Sequence, residues 1–157
     1  DFWKDGNLVM LNALAQQPES LTYEFITNLL EVRSFLAPAY ASLAVSRADE
    51  ALIAFLEACV NLPGTPEAYA QADHELHHRL TLQSGNPIFT LIYNGFRKLS
   101  YQAGLRYFAS PEAREYSREY YQGLLQDARQ KDGANAEERT RQVMQNSLIY
   151  WQRTLNP

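Results

Sequence analysis

The chain has 157 residues, 46% of them hydrophobic, and a formal net charge of −4. A chain of this length buries about two thirds of its unfolded surface, so one domain with a hydrophobic core is expected. The acidic balance argues against a nucleic-acid-binding surface, the single cysteine excludes an internal disulfide, and no apolar run is long enough to cross a membrane. These features favour a cytoplasmic protein. Because the sequence begins at Asp1 rather than Met, we expect it to be a fragment.

Helical periodicity dominates the chain, and no stretch alternates between apolar and polar residues at the length of a strand. The first predicted helix covers residues 3 to 16 and stops before Pro18, and the second begins near Ser20. The third ends near residue 62, and the fourth begins at Pro66 behind the N-cap Thr65 and ends at "SGNP", residues 84 to 87. The fifth continues to about residue 108, the sixth starts at residue 111, and the seventh follows the "KDGAN" loop. Seven helices joined by short loops predict an all-α fold, an antiparallel bundle.

The stretch "ADHELHHRL", residues 72 to 80, holds every histidine of the chain. In a helical projection Asp73 lies in the apolar stripe of the fourth helix and His77 lies beside it, whereas His74 and His78 fall on the opposite face. We therefore expect His74 and His78 to be solvated. Asp73 and His77 can reach one point, either as two ligands of a metal ion or as an aspartate that orients a histidine at the edge of the core.

The same stretch contains Glu75 and His78 with the Glu-x-x-His spacing of di-iron bundles. Such a centre needs a second pair of this kind and two further glutamates that project inward. Because no other helix has a histidine, a di-iron enzyme is not expected. No nucleophile–base pair or glycine-rich phosphate loop indicates another catalytic site.

Arg33 interrupts the apolar face of the second helix. It is in line with Leu29 and Leu30, so its guanidinium is predicted to point into the bundle. There it needs an anionic ligand or a carboxylate partner, because burying an unpaired arginine is costly. A purely structural ion pair, or an arginine that extends to the end of the bundle, explains the pattern equally well.

The fifth and seventh helices carry further signals of close packing or of a cavity. Gly95 and Gly104 lie inside the fifth helix, where each costs about 1 kcal/mol relative to alanine, which indicates close approach by a neighbouring helix or a ligand. Ser147 and Arg141 flank the apolar stripe of the seventh helix, and such polar edges are typical of a cavity for a ligand with apolar and polar parts. The stripe itself consists of Met144, Leu148, Trp151 and Leu155.

Several segments together point to one family. They are "TNLLEVRSFL" at residues 27 to 36, "SGNPIFTLIYNGF" at 84 to 96, "GLRYFASPEAR" at 104 to 114, and the pair Ser147 and Trp151. These segments resemble the ligand-binding domain of the FadR regulators, an acyl-CoA-responsive branch of the GntR family of transcription factors. The similarity extends over essentially the whole chain.

The resemblance implies that residues 1–157 form an acyl-CoA-binding regulatory domain, and that a winged helix-turn-helix domain for operator DNA is absent from this chain. In such regulators of fatty acid metabolism, a seven-helix bundle encloses long-chain fatty acyl-CoA. Binding of the ligand rearranges the bundle and lowers the affinity of the regulator for DNA. We expect a non-enzymatic domain that has no cofactor and that forms a homodimer in the full-length protein. The ligand-binding residues carried over by position are Leu29, Leu30, Arg33, Ser34, Gly104, Tyr107, Arg141, Ser147 and Trp151.

Two departures from the family pattern leave an alternative open. Met144 stands where acyl-CoA-binding relatives have a glycine, which puts the preferred acyl length in doubt. His77 replaces an aromatic residue and resembles the metal-binding branch of the wider GntR family, in which two further histidines complete the site. Their positions here are interpreted as Gln122 and Gln145, and amides are poor ligands for a transition metal. The alternative function is therefore a metal-dependent sensor of a small organic acid, with Asp73 and His77 as candidate ligands.

Overall fold

The helices and their caps follow from local sequence. A computed structural model describes residues 2–17, 19 and 21–153, although not the side chains of residues 2 and 3. Within these residues the chain is all-helical, as predicted. The helices are α1 (Phe2–Asp5), α2 (Val9–Leu14), α3 (Tyr23–Ser46), α4 (Glu50–Val60), α5 (Pro66–Gln83), α6 (Pro87–Gly95), α7 (Arg97–Tyr107), α8 (Pro111–Gln130) and α9 (Gly133–Arg153). The predicted break at Pro18, the predicted start at Ser20 and the stripe residue Leu155 lie outside the described residues.

Side-chain caps stabilise the starts of α4, α5 and α8, and those of α5 and α8 confirm the predicted starts at Pro66 and at residue 111. The Asp49 carboxylate accepts a hydrogen bond from the Leu52 N–H at 2.9 Å, at the start of α4. The hydroxyl oxygens of Thr65 and Ser110 do the same at the starts of α5 and α8, where proline occupies the first turn. Each cap satisfies a backbone donor that has no partner within its own helix.

Two predicted helices are each divided in the structure. Residues 6–8 separate α1 from α2, and Phe96 separates α6 from α7 with a φ of −121° and a ψ of 18°. Close packing explains the second division, because a Cβ on Gly95 would lie 2.8 Å from the Cβ of Leu8, which precedes α2. The glycine therefore allows the segment before α2 to pack directly on α6, and the chain turns immediately afterwards.

The bundle contains two hydrophobic cores. The large core joins the C-terminal half of α3 to α4, α5, α8 and the first half of α9, and the small core joins α2, the N-terminal half of α3, α6, α7 and the end of α9. The long helices α3 and α9 run antiparallel through both cores, since Tyr23 stacks on Trp151 at one end and Gly133 lies against Ser42 and Ser46 at the other. In the described part of the chain, no helix is long and apolar enough to span a membrane.

Candidate functional site

A narrow cavity lies at the boundary between the two cores. Its walls come from α3, α7, α8 and α9, with Asp73 from α5, and its volume is about 30 Å³. An enclosed water needs about 10–15 Å³ by this measure, so the cavity has space for roughly two water molecules. The walls include most of the ligand-binding residues predicted from the resemblance, namely Leu29, Leu30, Arg33, Gly104, Tyr107 and Ser147.

The structure brings those residues together because inward faces of three helices meet. Arg33 is one turn beyond Leu29 and Leu30 on α3, and all three are buried, as the helical projection predicted. Gly104 lies where α7 crosses α5, and a Cβ there would be 3.3 Å from the Cβ of Ala70. The prediction of a close helix approach at Gly104 is therefore confirmed.

Arg33 and Asp73 form an ion pair in the cavity wall. The Arg33 Nη2 donates to the Asp73 Oδ2 at 3.0 Å, which joins α3 to α5. Burial alone would raise the pKa of Asp73, but Arg33 and His77 outweigh it and hold that pKa well below its usual range. Both groups are thus charged at neutral pH, so the predicted need of Arg33 for an anionic partner is met by a carboxylate of the chain itself.

His77 is fully buried and belongs to the same polar network. Its Nδ1 lies 2.5 Å from the Tyr40 hydroxyl, and its Nε2 lies 3.6 Å from the Asp73 Oδ1, beyond hydrogen-bond distance. The Tyr121 hydroxyl donates to that Oδ1 instead, at 3.2 Å. Burial, together with Arg33, lowers the pKa of His77, and burial raises the pKa of Tyr40 well above its usual value. We assign a neutral imidazole whose Nδ1 accepts from Tyr40 and whose Nε2 carries the proton.

The prediction that His74 and His78 are solvated is wrong, because both are half-buried. The Nε2 of His74 accepts from the Arg97 Nε at 3.1 Å, and the His74 carbonyl accepts from the Tyr93 hydroxyl at 2.7 Å. The reason is that α6 and α7 fold back over this face of α5. The ring of His78 stacks on Tyr93, with centroids 6.2 Å apart.

The residues considered for a metal site do not converge. Gln122 and Gln145 are both exposed, and it is Tyr121 that faces Asp73 from α8. Among the described residues, no group of three or more histidine, cysteine, aspartate or glutamate side chains could hold a metal ion. Glu75 is paired with Arg79, whose Nε lies 3.0 Å from the Glu75 Oε1, rather than with a second Glu-x-x-His motif.

Three residues predicted to bind the ligand do not line the cavity. The Ser34 hydroxyl donates to the Glu31 carbonyl of its own helix at 2.6 Å. Arg141 lies on the outer side of α9, in ion pairs with Glu137 and Glu138. Trp151 is buried one turn beyond Ser147, where its ring stacks on Tyr23 at 5.4 Å between centroids. The interpretation of Arg141 as a side chain that flanks the inner stripe is therefore corrected.

Two polar atoms in the cavity wall are buried and have no hydrogen-bond partner in the described part of the chain, the Arg33 Nε and the Tyr107 hydroxyl. Burial raises the pKa of Tyr107 to about 12, and the nearby Ser147 hydroxyl opposes this only in part. Tyr107 therefore stays protonated at neutral pH and can donate a hydrogen bond. A ligand acceptor placed here would satisfy a group whose burial otherwise costs about 1–3 kcal/mol.

Sequence reasoning missed the contribution of α8. Ser117 and Tyr120 also line the cavity, and the Tyr120 hydroxyl lies 2.9 Å from the Thr140 hydroxyl. A signal was present, because Ser117, Tyr120 and Tyr121 follow the i, i+3, i+4 pattern of an inward face. Tyr116, Tyr120 and Tyr121 are three tyrosines within six residues, and the sequence does not show which of the three are buried, since tyrosine occurs both inside and at the surface.

Comparisons with known proteins show the family to which the chain belongs. Residues 1–156 match the family model described as the FadR C-terminal domain. The chain is 34% identical over 152 residues to a fatty acid metabolism regulator protein of Shewanella pealeana, and 32% identical over 152 residues to that of Shewanella halifaxensis. These matches cover 97% of the chain but 64% of each relative. A regulator of the same name from Erwinia tasmaniensis is 33% identical over 125 residues, 80% of the chain and 52% of that relative. The chain belongs to the FadR C-terminal domain family.

Proposed function

We propose that this chain is the effector-binding domain of a transcriptional regulator of fatty acid metabolism, and that it binds long-chain fatty acyl-CoA between α3, α7, α8 and α9. One observation carries the proposal. Six of the nine ligand-binding residues that the sequence resemblance indicates line a single cavity, although they come from three helices far apart in sequence. The names of the relatives, fatty acid metabolism regulator proteins, support a role in regulating fatty acid metabolism.

The chemistry of the cavity suits a ligand with an apolar chain and a polar head. Ile26, Leu29 and Leu30 supply apolar walls for an acyl chain. The hydroxyls of Tyr107 and Ser147 are donors that suit the carbonyl oxygen of a thioester, and the Tyr107 hydroxyl has no partner among the described residues. Because Tyr107 remains protonated, it would bind the carbonyl without acting as a base, and the proposal assigns no catalytic residue.

Ligand binding would require the bundle to rearrange. A cavity of about 30 Å³ is far below the roughly 300–1,000 Å³ of sites that enclose ligands of drug size. An acyl chain would therefore have to separate α3 from α7 and α9, and the two-core construction gives a boundary along which this can occur. Such movement suits a switch that transmits effector binding to operator DNA through a winged helix-turn-helix domain outside this chain, in a cytoplasmic homodimer.

Calorimetric titration with palmitoyl-CoA tests the proposal, with CoA as the matched ligand that lacks the acyl chain. We expect saturable binding of palmitoyl-CoA at micromolar concentrations and much weaker binding of CoA. Tyr107→Phe should weaken palmitoyl-CoA binding about tenfold, since it removes one hydrogen bond from a dry site. Tyr116→Phe, at a tyrosine that is 48% exposed, is the control and should bind like the unaltered chain. Equal binding of CoA and palmitoyl-CoA, or no binding of either, would refute the proposal.

A further inference from the structure

Arg106 lies beside one end of the cavity. It precedes the cavity residue Tyr107 on α7, and its guanidinium carbon lies 5.6 Å from the centre of the Trp151 ring. Trp151 in turn lies one helical turn beyond Ser147, which lines the cavity from α9. One guanidinium N–H donates to the Leu21 carbonyl, just before α3. Arg106 thus joins the three chain segments that meet at this end.

The two ends of the cavity differ in charge. The cavity residues of α3 run from Ile26 to Arg33, and those of the antiparallel α9 run in the opposite direction, from Ser147 to Met144 and Val143. The end at Arg33 is closed by its ion pair with Asp73, which leaves no net charge. The opposite end is bordered by the stacked rings of Tyr23 and Trp151, with the Arg106 guanidinium over the indole.

Arg106 differs from Arg33, Arg118 and Arg141 in having no carboxylate partner in the described part of the chain. It differs from Arg114, whose guanidinium donates to two backbone carbonyls, those of Phe108 and Ala109, in donating a single hydrogen bond among the described residues. Arg33 is paired with Asp73, Arg118 with Glu115, and Arg141 with two glutamates. A guanidinium has five N–H donors, and Arg106 uses one of them on the Leu21 carbonyl. Its side chain is exposed, so the remaining donors are accessible to a ligand.

We propose that Arg106 binds a phosphate group of the acyl-CoA effector at the Trp151 end of the cavity, with the acyl chain directed toward Arg33. This inference rests on the proposed function and names the residue that holds the anionic part of the ligand. A guanidinium binds phosphate through two parallel N–H···O bonds, and the cation–π contact with Trp151 holds Arg106 at this end of the cavity. A chain of net charge −4 repels an anionic ligand at long range, so a local cation free of carboxylates is needed where the phosphates lie.

Two ligands that differ only in their phosphates test the assignment. Dodecanoyl-CoA and S-dodecanoyl-pantetheine carry the same acyl thioester, but the second has no phosphate. The affinity of each for the 157-residue chain is measured by calorimetry, and the ratio of the two affinities is compared among variants. Arg106→Gln removes the charge and retains an amide for the Leu21 carbonyl. Arg153→Gln removes an exposed charge two residues beyond Trp151, at the same end of the bundle.

We expect the unaltered chain to prefer dodecanoyl-CoA, and Arg106→Gln to lower that preference about tenfold while pantetheine thioester binding stays unchanged. Arg106→Lys should recover part of the preference, because it restores the charge without the planar fork. If Arg106→Gln loses affinity equally for both ligands, Arg106 has a structural role and the inference is overturned. The inference is also overturned if Arg153→Gln lowers the preference for dodecanoyl-CoA as much as Arg106→Gln does. If the unaltered chain binds both ligands equally, the inference fails and the proposed function stands. If it binds neither, both fail.

Discussion

The large and small cores meet at the cavity but differ in the side chains that fill them. Alanines fill the helix contacts of the large core, and Ala37, Ala41 and Ala44 of α3 have no exposed surface. Small side chains let helices approach closely and leave few alternatives for packing. The small core has few alanines, and part of it lies on short helices, α2 with 6 residues and α6 with 9.

This difference indicates which part of the bundle can move. Isolated helices shorter than about 12 residues are marginal in water, so α2 and α6 depend on packing for their stability. The large core rests mainly on α3, α5, α8 and α9, with 18 to 24 residues each, and includes one side of the 11-residue α4. We therefore expect a ligand that enters along the boundary to displace the small-core part of the bundle more than the large-core part.

Breaking the ion pair at the boundary is expected to have the largest effect. Asp73→Ala leaves the Arg33 guanidinium buried without its partner, and we expect the free energy of unfolding to fall by about 3–5 kcal/mol. Urea denaturation measures the change. Glu115→Ala, which removes the exposed partner of Arg118, is the control and should barely move the midpoint. A loss for Asp73→Ala as small as that of the control would mean that water reaches Arg33 and that the boundary is not dry.

Leucine truncations compare the two cores directly. Leu56 in the large core and Leu99 in the small core have no exposed surface. Leucine-to-alanine changes cost about 2–5 kcal/mol, and the cost is greatest where the surroundings cannot collapse into the space. We expect Leu56→Ala to lie near the upper end of this range and Leu99→Ala near the lower end, both measured by denaturant unfolding. The reverse order would contradict the view that the small core is the more adaptable.

Acidification should destabilise the network around His77 by a smaller amount. The pKa of His77 is lowered from 6.5 in the folded chain, by burial and then by Arg33, so the unfolded chain takes up the proton first as the pH falls below 6.5. The pKa of Asp73 is also lowered, so its contribution is lost only below its ordinary value of 3.8. Stability therefore falls with falling pH, and one fully coupled proton contributes at most about 1.4 kcal/mol per pH unit.

His77→Phe isolates the share of this histidine. The ring stays aromatic but cannot titrate, so the plot of unfolding free energy against pH should be flatter just below pH 6.5. His74 and His78 still titrate in this variant. Their pKa values are lowered by burial and then by Arg97, so the unfolding free energy should still fall as the pH falls. A variant whose slope matches that of the unaltered chain would show that His77 does not contribute to the pH dependence.

Local features of this fold could be predicted from sequence, and features that depend on a second helix could not. The cap at Thr65 is short-range chemistry, and the structure has it. A projection of single helices placed Arg33 and Asp73 on inward faces, but their pairing depends on how α3 and α5 align. The error at His74 has the same cause, because a projection gives the direction of a side chain and not the number of helices that cover it.

The smallest expected effect on stability concerns Gly104, where the two cores meet through α5 and α7. Gly104→Ala gains about 1 kcal/mol of helix propensity and loses a similar amount because the new Cβ would lie 3.3 Å from the Cβ of Ala70. We therefore expect the free energy of unfolding to change by less than about 1 kcal/mol. Palmitoyl-CoA binding should nevertheless weaken, because Gly104 lines the cavity and the helices must already part to admit the ligand. Gly64→Ala, in the loop before α5 with open space around it, is the control for binding. If Gly104→Ala binds as tightly as this control, the ligand does not contact α7 at Gly104.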